Sequence, residues 1–539
     1  MTDIAPNIIF IVTDQERHFS SWPTGYELPG RQRLKDLGVT FTNHTITSNV
    51  CTPSRSTIYT GQHIQRTTVF DNVNFPWSND LPTDLPTIGH RMRDLGYYSA
   101  YLGKWHLSEA LDTTDVYAGA NPEFADVLDE YGFSDFVGPG DVIGMTQGGY
   151  RSDELIGAAA RRWLRVRGQD LAAEATPWFL AVNLVNPHDA MMFDTDMPGS
   201  EPVQTAGPTM VPVAPAPPSA LYAATWDLPL PATRHEAWDT PGRPAAHREY
   251  QEARRFLTGL IPDEDDRWQR FQDYYLNCIR DNDRQIASLL AELDDQSFLD
   301  DAVVIQTSDH GELGGAHQMS GKGATAYREQ NNVPLVIKHP GGEAGTTCDS
   351  LTSHLDLVPT ILGCTGLDSV DSSDLPGHDV TPVLSGGAQA GMHDVRDGAL
   401  YAYNMFTLLD AGFLEAVATA KVTGEQPKSP PQFDFSKRGA IRSVFDGRFR
   451  FSRYFAPIEH HRPETLEELV ARNDLELFDL HIDPDEANNL AADPTSAADA
   501  ILEMNALLNR LIDEEVGVDD GSFLPTGNQK PWEVERWDV

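Results

Sequence analysis

Asn7-Ile-Ile-Phe-Ile-Val-Thr-Asp14-Gln15 is the first readable element of the chain, a β-branched run that reads as a strand and stops in a carboxylate and an amide. The same arrangement returns three times. Tyr97 to Gly103 runs into Lys104-Trp105-His106, Trp178 to Val185 into Asn186-Pro187-His188, and Ala302 to Thr307 into Ser308-Asp309-His310. Such runs alternate with helical stretches over the first two thirds of the sequence, the pattern of a mostly parallel sheet flanked by helices. A further core strand is expected at Val333 to Ile337. From Trp268 to Leu293 one helical face carries Trp268, Phe271, Tyr275, Ile279, Ile286 and Leu290, with no Gly or Pro to break it, which predicts a long packing helix feeding the strand at 302.

Between these elements the prolines of residues 196–245, including Pro212-Val-Ala-Pro-Ala-Pro-Pro218, cannot sustain a helix or a central strand, so an irregular insertion is expected, as a lid or an oligomer contact. Near Leu384-Ser-Gly-Gly387 the pattern changes. Alternating runs over Ala440 to Tyr454 around Asp446-Gly447 predict antiparallel strands. The expected architecture is therefore α/β: a large, mostly parallel mixed sheet sandwiched by helices over residues 1–387, then a smaller α+β domain with an antiparallel sheet over 388–539.

Composition narrows the function classes. The 539 residues are 40% apolar and 22% charged, which excludes collagenous, low-complexity and wholly disordered chains. With 40 Lys and Arg against 81 Asp and Glu, the formal net charge of −41 repels phosphate backbones and acidic lipid, so neither nucleic acid nor membrane is an expected partner. The apolar run Ile8 to Val12 is too short for an export signal or a membrane span. Cys51, Cys278, Cys348 and Cys364 show no paired spacing, so no disulfide or zinc framework is expected and a reducing cytoplasm is the expected compartment.

In open α/β sheets the carboxyl ends of the strands line one crevice, so the four polar strand ends are expected to converge. Taken singly, Asp14 reads as a helix cap and Asp309-His310 as a cap and a structural imidazole. Together, Asp14, Gln15, Asp309 and His310 offer two carboxylates, an amide oxygen and an imidazole, a set suited to one divalent cation, calcium first and manganese second. Lys104 and His106, two apart on an extended segment, would face one anion. His188 stands where its strand must stop, and Lys322 lies on the glycine-rich loop His317 to Gly323.

Cys51-Thr-Pro-Ser-Arg55, followed by Ser56-Thr-Ile-Tyr-Thr-Gly61, reads either as a loop with a buried thiol or as a thiolate activated at a helix start beside Arg55. With the clusters above, this pattern resembles the type I, formylglycine-dependent sulfatases of the alkaline phosphatase superfamily, close to the branch of arylsulfatases and phosphonate monoester hydrolases. The likeness also takes in Ser308-Asp-His-Gly-Glu312, Asp356-Leu-Val-Pro-Thr360 and Glu476-Leu-Phe-Asp-Leu480 with Asp483-Pro484 and Asn489-Leu490.

The resemblance implies that Cys51 is oxidised to formylglycine by a formylglycine-generating or anaerobic sulfatase-maturating enzyme. Its hydrate would attack sulfur beside a metal on Asp14, Gln15, Asp309, His310 and residue 51. Arg55 would hold the hydrate, and Lys104, Lys322 and Asn72 the sulfate. His188 and Lys322 would assist the leaving group, and His106 would expel sulfate. The substrate would be a small sulfate monoester, an aryl sulfate in the first place. Two alternatives follow: a phosphonate monoester or phosphodiester hydrolase, in which branch the Lys104-x-His106 pair tends to be replaced by hydroxyl-bearing residues, and a binding relic whose Cys51 stays a thiol. The proline-rich insertion and the aromatics at Trp22 to Tyr26 and at Trp532 and Trp537 are candidates to shape the leaving-group pocket, the aromatics equally to pack as core or interface, and a homo-oligomer is expected from the insertion and the tail.

Overall fold

The computed structural model describes residues 5–75, 77–112, 122–138, 140–142, 144–367, 371–425 and 431–524. The expected elements at Trp532 and Trp537 lie outside them. Twelve strands are described: β1 (Ile8–Asp14), β2 (Val39–Thr45), β3 (Tyr98–Gly103), β4 (Asp135–Val137), β5 (Trp178–Pro187), β6 (Val303–Ser308), β7 (Leu335–Lys338), β8 (Thr346–Ser353), β9 (Ala399–Tyr403), β10 (Ala440–Phe445), β11 (Phe449–Phe455) and β12 (Asp474–Asp479).

Eight form one sheet in the order β4-β3-β5-β1-β6-β7-β2-β8, parallel except at β7, which runs antiparallel to both neighbours. Helices cover both faces. In β1 the side chains alternate between them: Ile8, Phe10 and Val12 enter one apolar cluster and Ile9 and Ile11 the other. All seven residues of β1 are buried, as expected of a central parallel strand. The predicted long helix runs Asp265–Asp295, with Asp265 and Asp266 in its first turn complementing the helix dipole. Its Ile286, Leu289, Leu290 and Leu293 pack under the sheet, and its Tyr274, Tyr275 and Ile279 form a separate cluster.

That second cluster receives the proline-rich insertion. No strand or helix is assigned between Phe193 and Pro244, as the prolines require, yet the segment is docked: Trp226 donates from its backbone to Asp273 and from its indole to Asn277. Trp22 and Tyr26 stack here, and Tyr26 meets Trp226 edge-on. They pack among one another on this helix and do not line the cavity described below, so of their two expected places they take the packed one.

β9 to β12 form the antiparallel sheet expected near the C-terminus, order β12-β11-β10-β9, with the predicted hairpin at Asp446-Gly447. One apolar cluster joins it to the first sheet's side, bringing Phe70, Tyr250 and Leu313 against Tyr401, Phe406 and Phe433. Among the described residues no helix is long and apolar enough to cross a membrane.

Candidate active site

β3, β5, β1 and β6 are consecutive neighbours in the sheet, and Asp14 lies beside Pro187 on one flank while Thr13 lies beside Ser308 on the other. The four polar strand ends therefore meet, as the sequence predicts. The fifth contributor is the helix Cys51–Thr60, all ten residues of which are buried, with Cys51 at its N-terminus and Gly61 closing it at φ 68°. Asn72 accepts from the Thr52 N–H at 3.2 Å and so lies against this helix start.

Around the Cys51 sulfur stand Lys322 Nζ at 2.9 Å, His310 Nε2 at 3.3 Å and Asp14 Oδ1 at 3.9 Å. Lys322 also donates to Gln15 Oε1 at 2.8 Å. Lys104 Nζ lies 2.5 Å from Asp14 Oδ2. Arg55 reaches Asp309 Oδ2 at 3.0 Å and Asp14 Oδ2 at 3.4 Å, and donates to the Lys104 carbonyl and to Asn183. Its described bonds thus brace the carboxylates rather than the thiol beside which the sequence placed it.

The turn after β3 also departs from expectation. Gly103 sits at φ 96°, where an added Cβ would fall 2.0 Å from the Asn183 carbonyl, and His106 sits at φ 55°, so Lys104 and His106 are not on an extended segment. Lys104 turns to Asp14, whereas His106 lines the cavity with its ring beside Cys51. Asp141 holds this turn, accepting the N–H groups of Trp105 and His106 at 2.7 and 2.6 Å.

Burial would push the Cys51 thiol up, but the ammonium groups of Lys104 and Lys322 outweigh it and hold the group well below a free thiol. Burial and the Cys51 sulfur likewise push Asp14 up, yet the cationic Lys104 and Lys322 carry it below the ordinary carboxylate range. Asp309 goes the other way, raised by burial and by the facing Asp14. Burial and Lys104 depress His106 to about 3 and His188 to about 4, so both imidazoles are neutral near pH 7.

Asp14, Cys51, Asp309 and His310 each present a ligand atom, all within 4.8 Å of one another and all buried. His310 Nδ1 lies 3.1 Å from the Gly311 carbonyl, so the proton belongs on Nδ1 and Nε2 offers its lone pair to the site, the tautomer of a metal ligand. Two buried carboxylates that repel one another, plus that lone pair, fit a dication. Gln15 Oε1 keeps a lone pair beyond its bond to Lys322.

All eleven residues singled out from the sequence are gathered here: eight through the contacts above, while Asn72, His106 and His188, with Cys51 and Lys322, line one cavity. Glu312 was missed as a site residue, though it lies in a quoted motif. It accepts from Gln15 Nε2 and from the Gly321 N–H, both at 2.5 Å, and from the Gly314 N–H at 2.9 Å, tying the metal-side amide to the Lys322 loop. Asn183, accepting from Arg55 and from Tyr59 at 2.7 Å, was missed too.

The sulfatase family model matches residues 6–367. The chain is 26% identical to an uncharacterized sulfatase of Escherichia coli, YidJ, over 397 residues, 70% of this chain and 71% of that one. It is 24% identical to the choline-sulfatase of Rhizobium meliloti over 389 residues, 68% and 69% of the two chains. Among solved structures, the phosphonate monoester hydrolase of Silicibacter pomeroyi superposes with a TM-score of 0.65 at 22% identity over 99% of this chain and 100% of that one. A 2-O GAG sulfatase superposes at 0.62 with 19% identity, covering 95% and 92%. The two structures show a shared fold.

Proposed function

The chain belongs to the sulfatase family and is a sulfuric ester hydrolase, and from that premise we propose that it cleaves sulfate monoesters, aryl sulfates first among them, through the hydrated aldehyde of an oxidised Cys51. The observation that carries this reading is the enclosure of one buried cysteine, at a helix start, by Lys322 at 2.9 Å, His310 at 3.3 Å and a carboxylate at 3.9 Å. A structural thiol has no use for such surroundings. The reading requires a formylglycine-generating or anaerobic sulfatase-maturating enzyme, acting in the cytoplasm, as the partner that converts residue 51.

Asp14, Asp309, His310 and the Gln15 amide oxygen would hold a divalent cation, calcium first and manganese second, which supplies Lewis-acid polarisation of the reacting oxygens. The chain's own groups do the rest. Lys104, Lys322 and Asn72 bind the sulfate oxygens, and Arg55 keeps the two carboxylates oriented. One hydroxyl of the residue 51 hydrate attacks sulfur, forming an S–O bond as the bond to the alcohol oxygen breaks. Lys322, beside residue 51, and His188, at the cavity wall, carry the proton released by that attacking hydroxyl to the departing oxygen. His106, neutral near pH 7, then takes the proton of the remaining hydroxyl, the carbonyl re-forms and the C–O bond to sulfate breaks. Water re-hydrates the aldehyde. A serine at this position would retain a sulfate ester, whereas the gem-diol has an elimination route, so the covalent cycle turns over.

The full-length superposition on a phosphonate monoester hydrolase supports one rival, phosphonate hydrolysis at the same site. Specificity constants for 4-nitrophenyl sulfate and for phenyl 4-nitrophenyl phosphonate, measured on one preparation, separate them. The sulfate is expected to be preferred, and a large preference for the phosphonate overturns the proposal.

A further inference from the structure

Resting on the sulfatase reading, we infer that the leaving group of the substrate carries a carboxylate, and that Arg254 is the residue that binds it. The cavity has two characters. At its reacting end stand Cys51, His106, His188 and Lys322, while Phe75, Val211, Leu257, Met405 and Leu408, interrupted by the exposed Asn74, give the rest a mostly apolar wall. Such a wall suits an aryl or alkyl body and offers little to the hydroxyls of a sugar.

Arg254 breaks the apolar wall. It lies on the helix Ala245–Leu257, one turn before its end, and is 5% exposed. Its Nη2 donates to Thr258 Oγ1 at 3.2 Å, the guanidinium lies beside the Tyr250 hydroxyl, and Nε has no partner. Among the described residues no carboxylate lies within ion-pair distance of it. Of the nine buried arginines described, seven pair with an acid, and Arg453 donates to Asn505 and Asn509. In a chain with 81 acids to 40 bases, a buried guanidinium that faces a cavity and lacks an acid is an open half of an ion pair.

The partner is assigned to the leaving group by position. A Cβ on Gly321 would fall 2.1 Å from Arg254 Nη1, so the guanidinium rests against the backbone next to Lys322, whose own ammonium is already turned to Gln15 and Cys51. Sulfate bound at residue 51 therefore meets Lys322, whereas Arg254, with no described bond to Cys51 or Gln15, faces the same cavity beside the apolar groups. A planar guanidinium fork matches a carboxylate bidentately, at the far edge of a ring or chain laid on that wall.

The test uses leaving-group probes on the intact chain carrying Cys51→Ala. Titration calorimetry is expected to show 4-hydroxybenzoate binding roughly tenfold or more tighter than 4-methylphenol. Arg254→Met erases the difference and Arg254→Lys keeps part of it, with thermal melting confirming that each variant folds. In the Cys51-converted enzyme, the ratio of kcat/KM for 4-carboxyphenyl sulfate over 4-methylphenyl sulfate falls by a similar factor in Arg254→Met, carried by KM. Equal binding of the two phenols by the parent protein overturns the inference. So does an equal loss on both sulfates, which would assign Arg254 to the sulfate itself. A converted enzyme that ignores both sulfates while the calorimetric preference persists overturns the sulfatase reading and leaves Arg254 as a carboxylate site.

Discussion

His310 Nε2 lies 3.3 Å from Cys51 Sγ although 259 residues separate them. The contact exists because β6 ends beside β1, and because the buried helix that starts at Cys51 points into the same crevice. With Asp14 and Asp309 it concentrates donor atoms of one kind of use. Chelation is therefore expected to abolish sulfatase activity, and added calcium to restore it more fully than magnesium does. Because the ion binds the folded chain, saturating calcium also stabilises it, by about 2.7 kcal/mol at a hundredfold excess over Kd, read as a rise in Tm. Activity and Tm that ignore both chelator and calcium contradict the metal assignment.

The depressed imidazoles set the acid limb. A base with an ordinary histidine pKa loses function below about pH 6.5, whereas His106 is held near 3 and His188 near 4 by burial and Lys104, and a bound cation pushes the same way. At saturating calcium, kcat/KM for an aryl sulfate is expected to stay level from pH 7 to about pH 5. A fall centred near pH 6.5 would show a histidine that protonates in the free enzyme.

Glu312 is a positioning residue. Its carboxylate accepts from the Gln15 side chain and from the backbone of the Lys322 loop. In Glu312→Gln a donor replaces one of the acceptor oxygens, and the Gln15 amide and Lys322 lose their common anchor. Displacements of about 1 Å cost on the order of 10²-fold, so kcat is expected to fall by about that factor while conversion of Cys51, read by mass, is unaffected. Unchanged kcat and an unchanged calcium requirement would remove Glu312 from the site.

Away from the site, Glu476 is buried between the hydroxyls of Tyr454 at 2.6 Å and Tyr327 at 2.9 Å, and burial pushes it up to about 7. Its folded pKa exceeds its unfolded one, so the stability it contributes is fully present below about pH 4.5 and is lost as pH rises through 7. Glu476→Gln keeps a donor and an acceptor for the two tyrosines and removes the ionisation. The variant is expected to be more stable than the parent at pH 8, by on the order of 2 kcal/mol, with the gap closing toward pH 5. Parallel Tm profiles across that range would contradict it.

Much of this was legible in the sequence because the strands of the sheet's centre are largely aliphatic and aromatic runs, and the four that build the site each run into a chemical group. Their ends agree with the structure to within one or two residues. What escaped was the periphery. β2, Val-Thr-Phe-Thr-Asn-His-Thr, and β8, Thr-Thr-Cys-Asp-Ser-Leu-Thr-Ser, lie toward one edge, where polar side chains replace the apolar run. Supporting residues escaped for another reason: Asp141 acts through backbone N–H groups of a turn 35 residues away, which no local pattern announces. Asn183 did leave a trace, as an amide in the middle of the buried strand Trp178–Pro187, flanked by Val182 and Leu184. Arg254 left one only in three dimensions, through the acids that are not beside it.

The central claim is that residue 51, oxidised, is the nucleophile for sulfate. Preparations made with graded amounts of maturating enzyme give graded conversion of Cys51, quantified from the aldehyde-bearing peptide, which is lighter than its thiol form. The initial rate of 4-nitrophenyl sulfate hydrolysis, measured across them at saturating calcium, is predicted to rise in proportion to the converted fraction and to extrapolate to zero at none. Full activity in unconverted protein, or no activity in fully converted protein, would contradict the account.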